Sequence, residues 1–73
     1  MYINPVSNNV NELVVNPDFV ILFSYCTPVA CIKDGNFYKT SKKHSTTTTR
    51  HVNEWLGDEI AIEMPQEWFN SLV

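Results

Sequence analysis

The sequence predicts an α+β domain: a small sheet of three or four mainly antiparallel strands, one central helix over about 47–56, and a short C-terminal helix. Three observations predict it. Phe19–Tyr25 is rich in β-branched and aromatic residues, the mark of a strand. Lys33-Asp34-Gly35-Asn36 places Asp-Gly between two strand-like runs, where a tight hairpin needs positive backbone angles. Thr48, Val52, Trp55 and Leu56 recur at helical spacing.

Residues 1–17 are polar and punctuated by Pro5, Asn8, Asn9, Asn16 and Pro17, which predicts an irregular N-terminal arm ahead of a single domain over 18–73. Phe19–Tyr25 is expected to be central in the sheet. Pro28 has no N–H for a ladder, so the chain must bend, bulge or turn there before Val29–Ile32 resumes the extended course. Phe37–Thr40 follows the hairpin as the next strand. Ser45, Thr46 and Thr47 offer hydroxyls to cap the helix, and Gly57 stops it. Glu59–Met64 alternates, with Ile60, Ile62 and Met64 on one face, and predicts a half-buried strand. Pro65 suits the first position of a last helix, Glu67 its first turn, and Trp68, Phe69 and Leu72 its apolar edge.

At 73 residues the chain allows one small domain, and a chain this short buries only about 60% of its unfolded surface, so a dimer or a partner is a natural supplement. Its net charge of −3 conceals a segregation. All five cations, Lys33, Lys39, Lys42, Lys43 and Arg50, lie between positions 33 and 51 with one acid, Asp34, a local charge of +4. Glu12, Asp18, Glu54, Asp58, Glu59, Glu63 and Glu67 give the rest −7. This asymmetry bears on partners and not on fold. The start is polar and acidic rather than signal-like, and the apolar run Phe19–Phe23 is far short of the roughly 20 residues a membrane span requires. The expectation is a protein of the cytoplasm, with no membrane partner and with cysteines as thiols.

The string Leu22-Phe23-Ser24-Tyr25-x-Thr27-Pro28-Val29-Ala30, then Phe37-Tyr38-x-Thr40, then Ser45-x-Thr47-Thr48-x-x-His51-x-Asn53-x-Trp55-Leu56, resembles a family of small uncharacterised proteins from phages, prophages and related mobile elements. The resemblance covers about residues 20–56. It implies a viral or mobile-element origin, and so the cytoplasm of a host cell, without implying a reaction. It also implies that Cys26 and Cys31 occupy variable positions.

Cys26-x4-Cys31-x12-His44-x6-His51 comes close to a Cys2His2 zinc set, thiolates from a hairpin and imidazoles from a helix. The histidine spacing exceeds the usual three to five, His44 precedes the predicted helix, and the resemblance rests on neither cysteine, so no metal and no other cofactor is expected. A Cys26–Cys31 bridge would close too short a loop to restrict the unfolded chain much. A Cys-His pair lacks an orienting group and an oxyanion site, so an enzyme is not expected. His51, with Asn53, Ser24 and Tyr25, reads as an anchor of helix to sheet.

The expected partner-binding residues are Lys39, Lys42, Lys43, His44 and Arg50. Trp68, Phe69 and Leu72 form a second candidate surface, although they read equally as core. The leading reading is a phage-type accessory protein that binds a host or viral protein stoichiometrically, as a takeover factor or an inhibitor of host defence. Two alternatives stand beside it. One is a weak nucleic-acid binder using residues 39–50, with Phe37 and Tyr38 as stacking surfaces; its net acidity disfavours it. The other is a minor structural or assembly protein working as an oligomer, a homodimer included.

Overall fold

Four tight turns, at residues 8–9, 17–18, 25–26 and 34–35, fold the first forty residues back and forth. In the computed structural model, which describes residues 1–57 and 59–73, they join five antiparallel strands. These are β1 (Tyr2–Ser7), β2 (Val10–Asn16), β3 (Phe19–Ser24), β4 (Thr27–Lys33) and β5 (Asn36–Thr40). Helix α1 (Thr46–Leu56) then crosses to β6 (Ile62–Met64), which lies parallel to β5, and α2 (Gln66–Asn70) follows. The strand order is β1-β2-β3-β4-β5-β6.

This corrects the predicted fold class. The sheet has six strands and is mixed, with 47% of the chain in strands against 22% in helices, so no small sheet is organised around a central helix. Residues 1–17, expected as an irregular arm, form β1 and β2. The punctuation that argued against strands has another use. Pro5 lies in an edge strand exposed along all six residues, where a missing donor is tolerated. Asn8-Asn9 makes the turn, with Asn9 at φ 63°, a region asparagine tolerates better than most residues. The parallel pairing of β5 with β6 arises because α1 serves as the crossover between them. The strand expected over Glu59–Met64 shrinks to Ile62–Met64, and Ile60 is 93% exposed rather than half-buried.

Strand alternation sends side chains to two faces, and each face has its own helix. On one face Val10, Leu22, Val29 and Ala30 pack against Val52 and Leu56 of α1, with Trp55 and Phe37 at the margin. On the other, Ile21 and Cys31 pack against Phe69 of α2, with Tyr38, Met64, Trp68 and Leu72 around them. Val29 and Ala30 share a face because the register slips between Leu22↔Ala30 and Phe23↔Pro28. This is the irregularity the sequence requires at Pro28. Ser45 caps α1 by accepting the Thr48 N–H at 3.2 Å, and Gly57 closes it at φ 63° by donating to the Asn53 carbonyl. Pro65 stands one place earlier than expected, as the cap of α2. Among the described residues no helix is long and apolar enough to cross a membrane.

The β3–β4 turn is strained. Tyr25 and Cys26 both sit at positive φ, 51° and 67°, whereas Asp34 and Gly35 meet the same demand one hairpin later. A residue other than Gly, Asn or Asp costs roughly 1–2 kcal/mol in this region. Tyr25→Asn/Cys26→Gly is therefore expected to raise stability by about 1–2 kcal/mol, read from urea unfolding. The Tyr25 backbone bond to the Asn9 carbonyl, at 2.9 Å, survives both changes. Unchanged or lower stability would mean that packing of the half-exposed Tyr25 ring near His51 outweighs the strain.

Candidate functional site

The basic stretch becomes a groove because the chain has to travel from the end of β5 to the start of α1. Lys39, at the end of β5, and Lys42, Lys43 and His44, in the connection, line a hollow of about 290 Å³. Thr49 and Asn53 of α1 and Glu63 of β6 also line it. Lys39 and Glu63 are cross-strand neighbours, and their charged groups stand 4.0 Å apart with the glutamate side chain 64% exposed. A pair so loose and wet contributes little. Among the described residues it is the only ion pair, and Lys42 and Lys43 face solvent without one.

A single side chain outside the basic stretch fixes the groove's shape. Beside the bulge in β4, Gln66 Nε2 donates to the Pro28 carbonyl at 2.8 Å and to Asn70 Oδ1 at 3.1 Å. Gln66 Oε1 accepts from Thr40 Oγ1 at 2.8 Å and from His44 Nε2 at 3.0 Å. Thr40 Oγ1 in turn accepts the Lys42 N–H at 3.2 Å. Gln66 thus holds the connection at both ends, with Lys42 and Lys43 between. His44 must carry its proton on Nε2 to make this bond, an assignment that follows from the network. Nothing in the sequence signals Gln66, since its role depends on the bulge 38 residues earlier.

The other basic candidate, Arg50, is exposed on α1 outside the lining of the groove. Phe37 and Tyr38 do not form a stacking platform beside the lysines. Phe37 packs at the margin of the α1 core, and Tyr38 on the opposite face lies 4.9 Å from the Trp68 ring. In the second candidate surface, Phe69 is 0% exposed and belongs to the core, with Trp68 and Leu72 half-buried beside it. The seven acids counted outside the basic stretch include Asp58, which lies outside the described residues.

His51 anchors helix to sheet. Its Nδ1 lies 3.2 Å from Ser24 Oγ, which lies 3.1 Å from Thr48 Oγ1, which accepts from Ser45 Oγ at 3.2 Å. With the Ser45 hydrogen committed to Thr48, the arrangement that satisfies every hydroxyl runs one way, Ser45 to Thr48 to Ser24 to His51 Nδ1. Ser24 is 2% exposed and Thr48 6%, so the middle of this chain is closed to solvent, between half-buried His51 and exposed Ser45. On the same face Trp55 Nε1 donates to Glu12 Oε2 at 2.6 Å, and Glu12 Oε1 accepts from Asn4 at 2.9 Å. One carboxylate ties α1, β2 and β1 together, a role hidden when Glu12 is only an entry in the charge count.

The four residues of the zinc pattern stand apart. Cys26 is exposed in the β3–β4 turn, Cys31 is buried against α2, His51 reaches from α1 to Ser24 and His44 is held by Gln66. Among the described residues no group of three or more histidines, cysteines and acids is placed to hold a metal ion. Both cysteines are free thiols. Burial raises the Cys31 pKa from 9.0 to about 11 despite the opposing charge of Lys33, so it is held as the neutral thiol near neutral pH. Next to Cys26, a second and apolar hollow of about 280 Å³ opens between Ile3, Leu13 and Phe23, on the side of the sheet that α2 is too short to cover.

A family model described as "Family of unknown function (DUF8033)" matches residues 1–71. No curated protein and no solved structure matches the chain.

Proposed function

The chain belongs to DUF8033, a family of unknown function, and from that premise we propose that it is a small accessory protein of phage type. It acts stoichiometrically, binding a host or viral protein in the cytoplasm of the host cell, as a takeover factor or an inhibitor of host defence. The observation that carries this reading is the basic groove, with Lys39, Lys42 and Lys43 gathered on one hollow of an otherwise acidic chain. Such a patch steers association with an acidic surface and selects against basic ones. The resemblance of residues 20–56 to small phage and prophage proteins supports the origin, and no reaction is needed to account for any side chain described above.

A nucleic-acid role for the same residues is less well supported. Its stacking aromatics are taken up by the two cores, and Glu63 stands in the groove where a phosphate backbone would run. The test is affinity capture from infected or host cells, with the complex then weighed by native mass spectrometry. A defined complex of fixed stoichiometry is the expected result, weakened in Lys39→Glu/Lys42→Glu/Lys43→Glu. The absence of any protein complex overturns the reading, and a mobility shift of nucleic acid at low salt would replace it with the alternative.

A further inference from the structure

We propose that the groove seats an extended acidic segment of the partner protein, taking one or two carboxylate side chains, and that Gln66 is the residue that positions it. This rests on the stoichiometric reading above and names the partner's chemistry. Size comes first. About 290 Å³ lies at the lower edge of the roughly 300–1,000 Å³ that encloses a whole small ligand, so the groove admits side chains of a chain passing over it.

Charge comes second. Lys39 is already shared with Glu63, while Lys42 and Lys43 form no ion pair among the described residues, so the complement is a short acidic stretch and not a long polyanion. The cations in the groove are all lysines, compact point charges, and the planar fork that grips phosphate in two places belongs to Arg50, outside it. No Phe, Tyr or Trp ring lines the groove to stack a base, and the His44 imidazole is tied to Gln66. Exposed Ser41, Thr49 and Asn53 offer hydroxyl and amide groups to the carbonyls of an extended backbone.

Preorganisation comes third. A lysine-bearing connection free to move would lose much of its binding energy to ordering. Here Thr40 and His44 are both held by Gln66 Oε1, the Lys42 N–H is held by Thr40, and Gln66 itself is fixed to the Pro28 carbonyl in the buried part of the sheet. The lysines therefore meet a partner on a backbone that is already ordered.

The probe is a short fluorescein-labelled peptide of alternating Glu and Ser, compared with an oligothymidylate of equal net charge, in anisotropy titrations against the full chain at low and physiological salt. The peptide is expected to bind more tightly than the oligonucleotide. Lys42→Glu/Lys43→Glu, at exposed positions that leave the fold intact, is expected to weaken it by at least about tenfold. Gln66→Ala and Thr40→Val cut the clamp from its two ends without changing the groove's charge. Each is expected to weaken the peptide about three- to tenfold at a temperature where circular dichroism shows the variant fully folded. A peptide that fails to bind at low salt, or an oligonucleotide that binds more tightly, overturns the acidic-segment assignment. Unchanged affinity in both clamp variants overturns the role of Gln66. A protein complex that survives Lys42→Glu/Lys43→Glu overturns the groove alone and leaves the stoichiometric reading standing, which only the lack of any complex removes.

Discussion

Replacing Phe69 with alanine is expected to lower stability by about 3–5 kcal/mol, read as the loss of unfolding free energy in urea. Phe69 is the largest fully buried side chain, and it closes the face of the sheet formed by Ile21 and Cys31. Trp68 meets it edge to face, with ring centroids 5.0 Å apart, so its removal also takes away a directional aromatic contact. Helix α2 has five residues and no side-chain cap, too short to stand by itself, and is held by what it buries. A small domain starts near the low end of the usual range of about 5–15 kcal/mol, so Phe69→Ala is expected to keep at most about 2 kcal/mol of stability.

Phe69→Leu keeps most of the apolar volume and is expected to cost less than about 2 kcal/mol, which keeps the test measurable if the alanine variant does not fold. A loss below about 1 kcal/mol for Phe69→Ala would mean that α2 is not part of the cooperative core. The consequence reaches the groove, because Gln66 opens the same helix and can hold Thr40 and His44 only while α2 is docked.

The central part of this architecture is legible in the sequence because local chemistry and tertiary context agree there. Asp34-Gly35 is a hairpin by residue type alone, Pro28 marks an interruption of the ladder by its missing N–H, and Ser45 with Gly57 brackets α1 within a residue. The ends of the sheet are not legible in that way. β1 is fully exposed and carries Pro5, so its strand character comes from pairing with β2 rather than from any pattern of burial. β6 pairs with β5 across an intervening helix, and nothing local to Ile62–Met64 announces a parallel partner or sets Ile60 outside it. Tyr25-Cys26 fails every turn rule and still turns, because strands on both sides fix the register. At the candidate site the charges are visible along the chain. The groove they line is not, since it depends on Glu63 and Gln66, which the fold brings in from the far side of α1.

Ser24→Ala is expected to cost about 1–3 kcal/mol, much more than the loss of one hydrogen bond would suggest. The cost is larger because of what remains behind. With the Ser24 hydroxyl gone, the Thr48 hydrogen loses its acceptor in a space where Ser24 and Thr48 are 2% and 6% exposed, and half-buried His51 Nδ1 loses its donor. Thr48→Val should cost a similar amount, by taking from buried Ser24 its partner on α1, while the exposed Ser45 hydroxyl turns to water. The double variant is the informative one. Once both hydroxyls are removed, the polar groups facing each other across the α1–β3 contact disappear together, so the double variant is expected to lose less than the sum of the single variants. A coupling of about 0.5–3 kcal/mol is the measure of the network. Strictly additive losses would mean that the two hydroxyls act separately and that the one-way chain from Ser45 to His51 does not exist. The same cycle separates an anchor from a nucleophile. A serine that served chemistry through His51 would be exposed, and its loss would be nearly neutral for folding; here the loss should fall on stability, and through the seating of α1 on Thr49 and Asn53 in the groove.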